Sequence, residues 1–109
     1  MLWLGGAINA KDTVIHSYAN QTDIANTVLA QLDKPDPNFK FSNDILNSDY
    51  DDFAIFVFNN GFGYLNDGTT VVYNNTGDKY LRKEGIESQK DLEMGKAYMQ
   101  VLYNDFNQR

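Results

Sequence analysis

Gln21-Thr22-Asp23-Ile24-Ala25-Asn26-Thr27-Val28-Leu29-Ala30-Gln31-Leu32 is the stretch on which the fold turns. Ile24, Ala25, Val28, Leu29 and Leu32 recur at the spacing of one helix face, which predicts an amphipathic helix. Thr22 or Asp23 is placed to accept hydrogen bonds from the first free backbone N–H groups, and a carboxylate there also suits the positive end of the helix dipole. Asp33-Lys34-Pro35-Asp36-Pro37 predicts the stop, because proline lacks a donor and restricts the residue before it.

Working backward, Leu2-Trp3-Leu4-Gly5-Gly6-Ala7-Ile8 is apolar without alternation, which predicts a strand covered on both faces. Asn9 to Asp12 reads as a polar turn, and Thr13-Val14-Ile15 as a brief extended piece. Working forward, Phe39-Lys40-Phe41 predicts an extended segment with two rings on one side. Ser42-Asn43-Asp44 is placed to cap a single turn through Ile45 and Leu46.

The character changes at Asp52 to antiparallel β-structure. Phe53-Ala54-Ile55-Phe56-Val57-Phe58 is apolar on both faces and predicts a central, covered strand. Asn59-Asn60-Gly61 supplies residues that tolerate positive φ, and Phe62 to Leu65 continues as a strand. Asn66-Asp67-Gly68 is a hairpin signal of the type I′ kind. Thr69 to Tyr73 returns as a strand. After a turn over Asn74 to Asp78, Lys79 to Arg82 makes a short edge strand guarded by lysine. A last helix begins at Ser88, with Ser88 and Asp91 arranged like a capping box. Leu92, Met99, Leu102, Tyr103 and Phe106 form its apolar face, with Gly95 between, and the helix is expected to lie across the sheet. The fold class is therefore α+β, with an antiparallel sheet of about three to four strands packed by a C-terminal helix. The chain divides into a strand-loop-helix part over 1–48 and a sheet-helix part over 49–109, together a single domain or fragment.

At 109 residues the chain has room for one modest core, a domain of this size hiding roughly 65% of its unfolded surface. A hydrophobic share of 42% excludes a disordered composition. A net charge of −6 argues against nucleic-acid binding, which needs cations to displace phosphate counterions. Only Lys79, Arg82 and Lys83 cluster, and strand alternation splits Arg82 from Lys83. Cysteine is absent, which excludes disulfides and thiolate metal sites. No apolar run approaches the roughly 20 residues that span a bilayer, so no membrane contact by this segment is expected. No basic stretch precedes an apolar one at the start, so no signal peptide is read there. Met1 leads straight into an apolar segment, which reads as a cut through a longer protein.

No residue stands out as catalytic, cofactor-binding or metal-ligating. Asp23 is explained by its place at a helix start. His16 is the only histidine, and zinc takes three or four protein ligands. Asn47, Asp49, Asp51 and Asp52 lack the glycine turn and closing carboxylate of a calcium loop. Ser17, Ser42, Ser48 and Ser88 lack an oriented histidine base, and Ser17 beside His16 would point away from it on a strand. Asn59-Asn60-Gly61-Phe62-Gly63 lacks the Lys-Ser/Thr of a phosphate loop. Asn20-Gln21-Thr22 and Asn74-Asn75-Thr76 match glycosylation sequons, which mean nothing without a secretory context.

An apolar segment, a loop, then Asp23, Thr27, Val28 and Leu29 resembles the C-terminal part of sulfatase-like hydrolases of the alkaline phosphatase superfamily. The lipoteichoic-acid-synthase-like branch is the most similar, with its pattern Asp-x-x-Pro-Thr-hydrophobic-Leu. Asn26 stands where that family has proline. Phe41-Ser42-Asn43-Asp44 running into Ile45-Leu46 resembles the family's Phe-Ser-x-x-Leu-like stretch. The resemblance implies the C-terminal portion of an alkaline-phosphatase-like α/β fold. It implies a parent enzyme in which a metal-bound Thr, Ser or formylglycine attacks a phosphate or sulfate ester, with a divalent metal held by acidic residues and an Asp-His pair. Those motifs lie upstream of the part that Leu2–Ile8 resembles, so no cofactor is expected in this fragment and the fragment is expected to be inactive alone. The implied partner is the remainder of the parent catalytic domain. The parent is implied to be anchored in a membrane with its catalytic domain outside the cytoplasm, this segment itself being soluble. Two other readings stay open: a free-standing α+β module binding glycan or protein through its seven tyrosines, and an assembly element with an exposed apolar patch.

Overall fold

A computed structural model describes residues 2–6, 8 and 11–109. The chain forms two compact units, Met1–Asp52 and Phe53–Arg109.

The first unit carries one helix, α1, over Asp23–Gln31. Its end is a Schellman-type stop: Asp33 takes a left-handed φ of 55°, Lys34 N donates to Leu29 O at 2.9 Å, and Asp33 N donates to Ala30 O at 3.1 Å. The prolines therefore follow a helix that has already closed. The expected apolar stripe is only half covered: Val28 and Leu32 are exposed and Ile24, Ala25 and Leu29 half-buried, while the fully buried side chains of α1 are Asp23 and Thr27. The helix is held from its polar side.

Two expectations in this unit fail. Leu2–Ile8 is not a buried strand: its described residues run without regular structure through a bend at Gly5, and Leu2 and Leu4 are 80% and 85% exposed. A strand needs a neighbour to pair its backbone, and apolar content alone supplies none. Ala7 of that segment, and Asn9 and Ala10 of the expected turn, lie outside the described residues. Phe39-Lys40-Phe41 is not extended either. Phe39 N donates to Asp36 O at 3.3 Å and Ser42 N to Phe39 O at 3.0 Å, two consecutive turns. They are started by Asp36, whose Oδ1 accepts from Asn38 N at 2.9 Å. In the expected turn after it, Asp44 is the capping residue of the Ser42-Asn43-Asp44 run: its Oδ1 accepts from Leu46 N at 3.0 Å.

The second unit is a four-stranded antiparallel meander followed by a helix. The strands are β1 (Phe53–Phe58), β2 (Gly61–Asn66), β3 (Thr69–Asn74) and β4 (Lys79–Glu84), in that spatial order, and the helix is α2 (Ser88–Asn107). Registers Phe58↔Gly61 and Asn66↔Thr69 leave two-residue loops, and a bulge between Val72 and Tyr73 adjusts β3 against β4. Both tight loops depart from the mirror-image type I′ form. Neither Asn59 nor Asn60 takes a positive φ, and in the second loop only Gly68 does, at 87°. A single positive φ at the second central position is the type II sign pattern.

β1 is an end strand of this sheet rather than a central one, and Phe56 and Val57 are 46% and 51% exposed. Apolar residues on both faces suggested two covering layers, yet chain order through tight hairpins fixes β1 at the rim. Its Phe56 and Phe58 rings lie instead across the neighbouring strand. A Cβ on Gly63 would stand 2.1 Å from the Phe56 ring, and one on Gly61 2.7 Å from the Phe58 ring. At the opposite rim, β4 carries Lys79, Arg82, Lys83 and Glu84, charges that discourage further pairing.

α2 packs against β2 and β3. The core is Phe62, Tyr64, Val71, Tyr73, Leu92 and Met99, with Phe53, Ile55, Tyr80 and Leu102 against it. Gly95 lets the helix approach, since a Cβ there would stand 2.3 Å from Phe62 Cε2. Tyr103 and Phe106 were expected in this face but are exposed, Phe106 to 74%. Six-residue strands reach about 20 Å and a 20-residue helix about 30 Å, and Leu102 is the last α2 residue against the core. The capping box does not form: Glu87 precedes the helix, no side chain caps it, and Asp91 Oδ1 instead accepts from Asn66 Nδ2 at 3.0 Å.

Candidate functional site

The densest polar constellation lies at the head of α1. Thr22 makes no side-chain cap bond. The fully buried Asp23 carboxylate turns outward from the helix and ties down two chain segments. Oδ2 accepts from Asn20 N at 2.7 Å and Asn20 Nδ2 at 3.2 Å, with the Tyr50 hydroxyl oxygen 3.3 Å away. Oδ1 accepts from Asn43 N at 2.9 Å and Asn43 Nδ2 at 3.4 Å. A carboxylate offers about four lone-pair positions, and these donors fill them.

Asn26 and Thr27, one turn on, extend the same junction. Asn26 N donates to Ser42 Oγ at 2.9 Å, and Asn26 Nδ2 to Ser42 O at 2.7 Å. Thr27 Oγ1 donates to Asp23 O at 2.6 Å and accepts from Ile45 N at 3.1 Å. Proline at position 26 could make neither Asn26 bond. Tyr50 adds a third segment by donating to Tyr18 O at 2.9 Å, and Asp52 Oδ2 accepts from Tyr18 N at 3.2 Å.

This arrangement fastens loops; it does not offer free ligands. No group of three His, Cys, Asp or Glu side chains among the described residues could hold a metal ion. His16 and Ser17 are exposed in the loop before α1, Ser48 is exposed, and Ser42 is buried as the acceptor for Asn26. Asn47 Oδ1 accepts from Asp49 N at 2.9 Å, a local turn rather than a cation loop. Within the same unit an apolar hollow of about 350 Å³ lies between α1 and the first residues, lined by Leu2, Trp3, Leu4, Ile8, Ile24 and Val28.

In the second unit Asn59 and Asn60 stand exposed at the β1–β2 turn, and Asn60 O accepts from Asn75 N at 2.7 Å. A further cluster joins the β3–β4 turn to α2. The Tyr73 hydroxyl donates to Asp78 Oδ1, and Lys96 Nζ donates to the Tyr73 hydroxyl at 3.3 Å while lying 4.2 Å from its ring centroid. The hydrogen bond to the Asp78 carboxylate, then burial, holds the Tyr73 hydroxyl above its ordinary pKa of 10.0, with Lys96 pulling the other way. Of the three clustered cations, Arg82 pairs with Glu84 at 3.0 Å and Lys83 lies 4.8 Å from the Tyr80 ring centroid.

Sequence reasoning placed Asp23 at a helix start and missed its partners. Asn43 lies twenty residues away, and the only sequence signal was the small polar run Ser42-Asn43-Asp44. No protein-family model matches this chain, no curated protein matches it, and no solved structure matches its fold. No helix among the described residues is long and apolar enough to cross a membrane.

Proposed function

We propose that this chain is the C-terminal structural part of a sulfatase-like or lipoteichoic-acid-synthase-like enzyme acting on sulfate or phosphate esters. The observation that carries the reading is the junction at the head of α1. The two stretches that bear the resemblance, Asp23 to Leu29 and Phe41 to Leu46, are bonded to each other through the matching residues Asp23 and Thr27. A motif pair that recurs in a family for structural reasons is expected to meet in space in this way. The exposed apolar residues Leu2 and Leu4 add support, since a segment of that composition is suited to burial against further polypeptide.

In such a parent this chain supplies scaffold. The apolar first residues and α1 cover one flank of the parent fold, and the antiparallel sheet forms a subsidiary layer near the cleft. The divalent metal of the family does not fit the described residues, because Asp23 is already saturated and the other carboxylates among them do not converge. Metal and nucleophile belong to polypeptide outside this chain, and the Asn59–Asn60 turn is where this piece reaches toward substrate. The alternative of a module binding glycan through tyrosines draws less support. Tyr64 and Tyr73 are core residues, Tyr80 packs edge-on against Tyr73, and the Tyr50 hydroxyl donates to Tyr18 O.

The coding sequence upstream of Met1 tests the reading. An Asp-His metal motif and a Thr, Ser or Cys nucleophile in frame support it; a stop codon behind an unrelated gene refutes it. In parallel, ester hydrolysis with added divalent metals is expected from the longer protein and not from residues 1–109 alone. Turnover by the short chain would overturn the assignment. Asn59→Ala in the longer enzyme is expected to change KM or kcat, and unchanged kinetics would remove that turn from the substrate's reach.

A further inference from the structure

We draw no further inference here: the strongest candidate, the open face of the sheet where Phe56 and Phe58 lie over Gly63 and Gly61, is an unpartnered apolar face and nothing in the structure shows what covers it.

Discussion

Replacing Asp23 tests whether the first unit is organised by a buried carboxylate. Asp23→Asn keeps the shape and withdraws one acceptor oxygen, putting an NH2 group where donors already point. Either Asn20 N or Asn43 N, at 2.7 and 2.9 Å in the native chain, then faces a donor. Hydrogen bonds to a charged group contribute about 1.5–3 kcal/mol, and a buried unpaired donor costs about 1–3 kcal/mol. The expected loss is about 2 kcal/mol for Asp23→Asn. For Asp23→Ala, which strands both the Asn20 and Asn43 amides, it is about 3–5 kcal/mol. A domain of this size is stable by about 5–15 kcal/mol, so the variants remain measurable. Urea unfolding gives the total, and amide hydrogen exchange gives the location. Asn20, Asn43 and the α1 amides are expected to lose protection while β2 and β3 keep theirs. Asp23→Asn within about 0.5 kcal/mol of the parent chain, the range of neutral surface changes, with Asn43 still protected, would refute the reasoning.

Two further substitutions probe the second unit. Gly95→Ala gains about 1 kcal/mol of helix propensity but drives a methyl to 2.3 Å from the Phe62 ring, and overpacking costs about 1–3 kcal/mol. A lowered Tm is expected; a raised one would show that Phe62 yields freely. Tyr73 gives a pH test. Its folded pKa lies above the ordinary 10.0, so just above that value the unfolded chain has lost the phenol proton and the folded chain has kept it. Stability therefore falls as pH rises past about 10, and Tyr73→Phe flattens that fall; identical alkaline slopes for the two proteins would contradict it.

The local part of this fold is legible in the residues. Hairpin signals at Asn66-Asp67-Gly68, β-branched runs and the α2 periodicity place four strands and a packed helix, because each depends on neighbours in sequence. What escapes is what depends on distant neighbours. Phe53–Phe58 looks central because its composition cannot report which strand lies beside it. Leu2–Ile8 looks like a strand because apolarity cannot report whether a partner edge exists. Asp23 looks like a cap because its position at a helix start masks a contact to Asn43 twenty residues on. Ser88-x-x-Asp91 resembles a capping box, yet Asp91 answers an amide on β2 instead. At the site itself, sequence supplied the motif residues, and only the three-dimensional arrangement shows that they bond to one another.

The pairing of Phe56 with Gly63 and Phe58 with Gly61 lays a ring over each glycine of the rim hairpin. Each ring roofs a stretch of main chain that has no side chain of its own, so those ladder bonds are sheltered by their own strand partner. That shelter is hinged rather than fixed, since one χ1 swing lifts a ring and wets the glycine beneath it. The rim of this sheet thus carries its own removable weatherproofing, and a side chain at either glycine would displace the ring that supplies it.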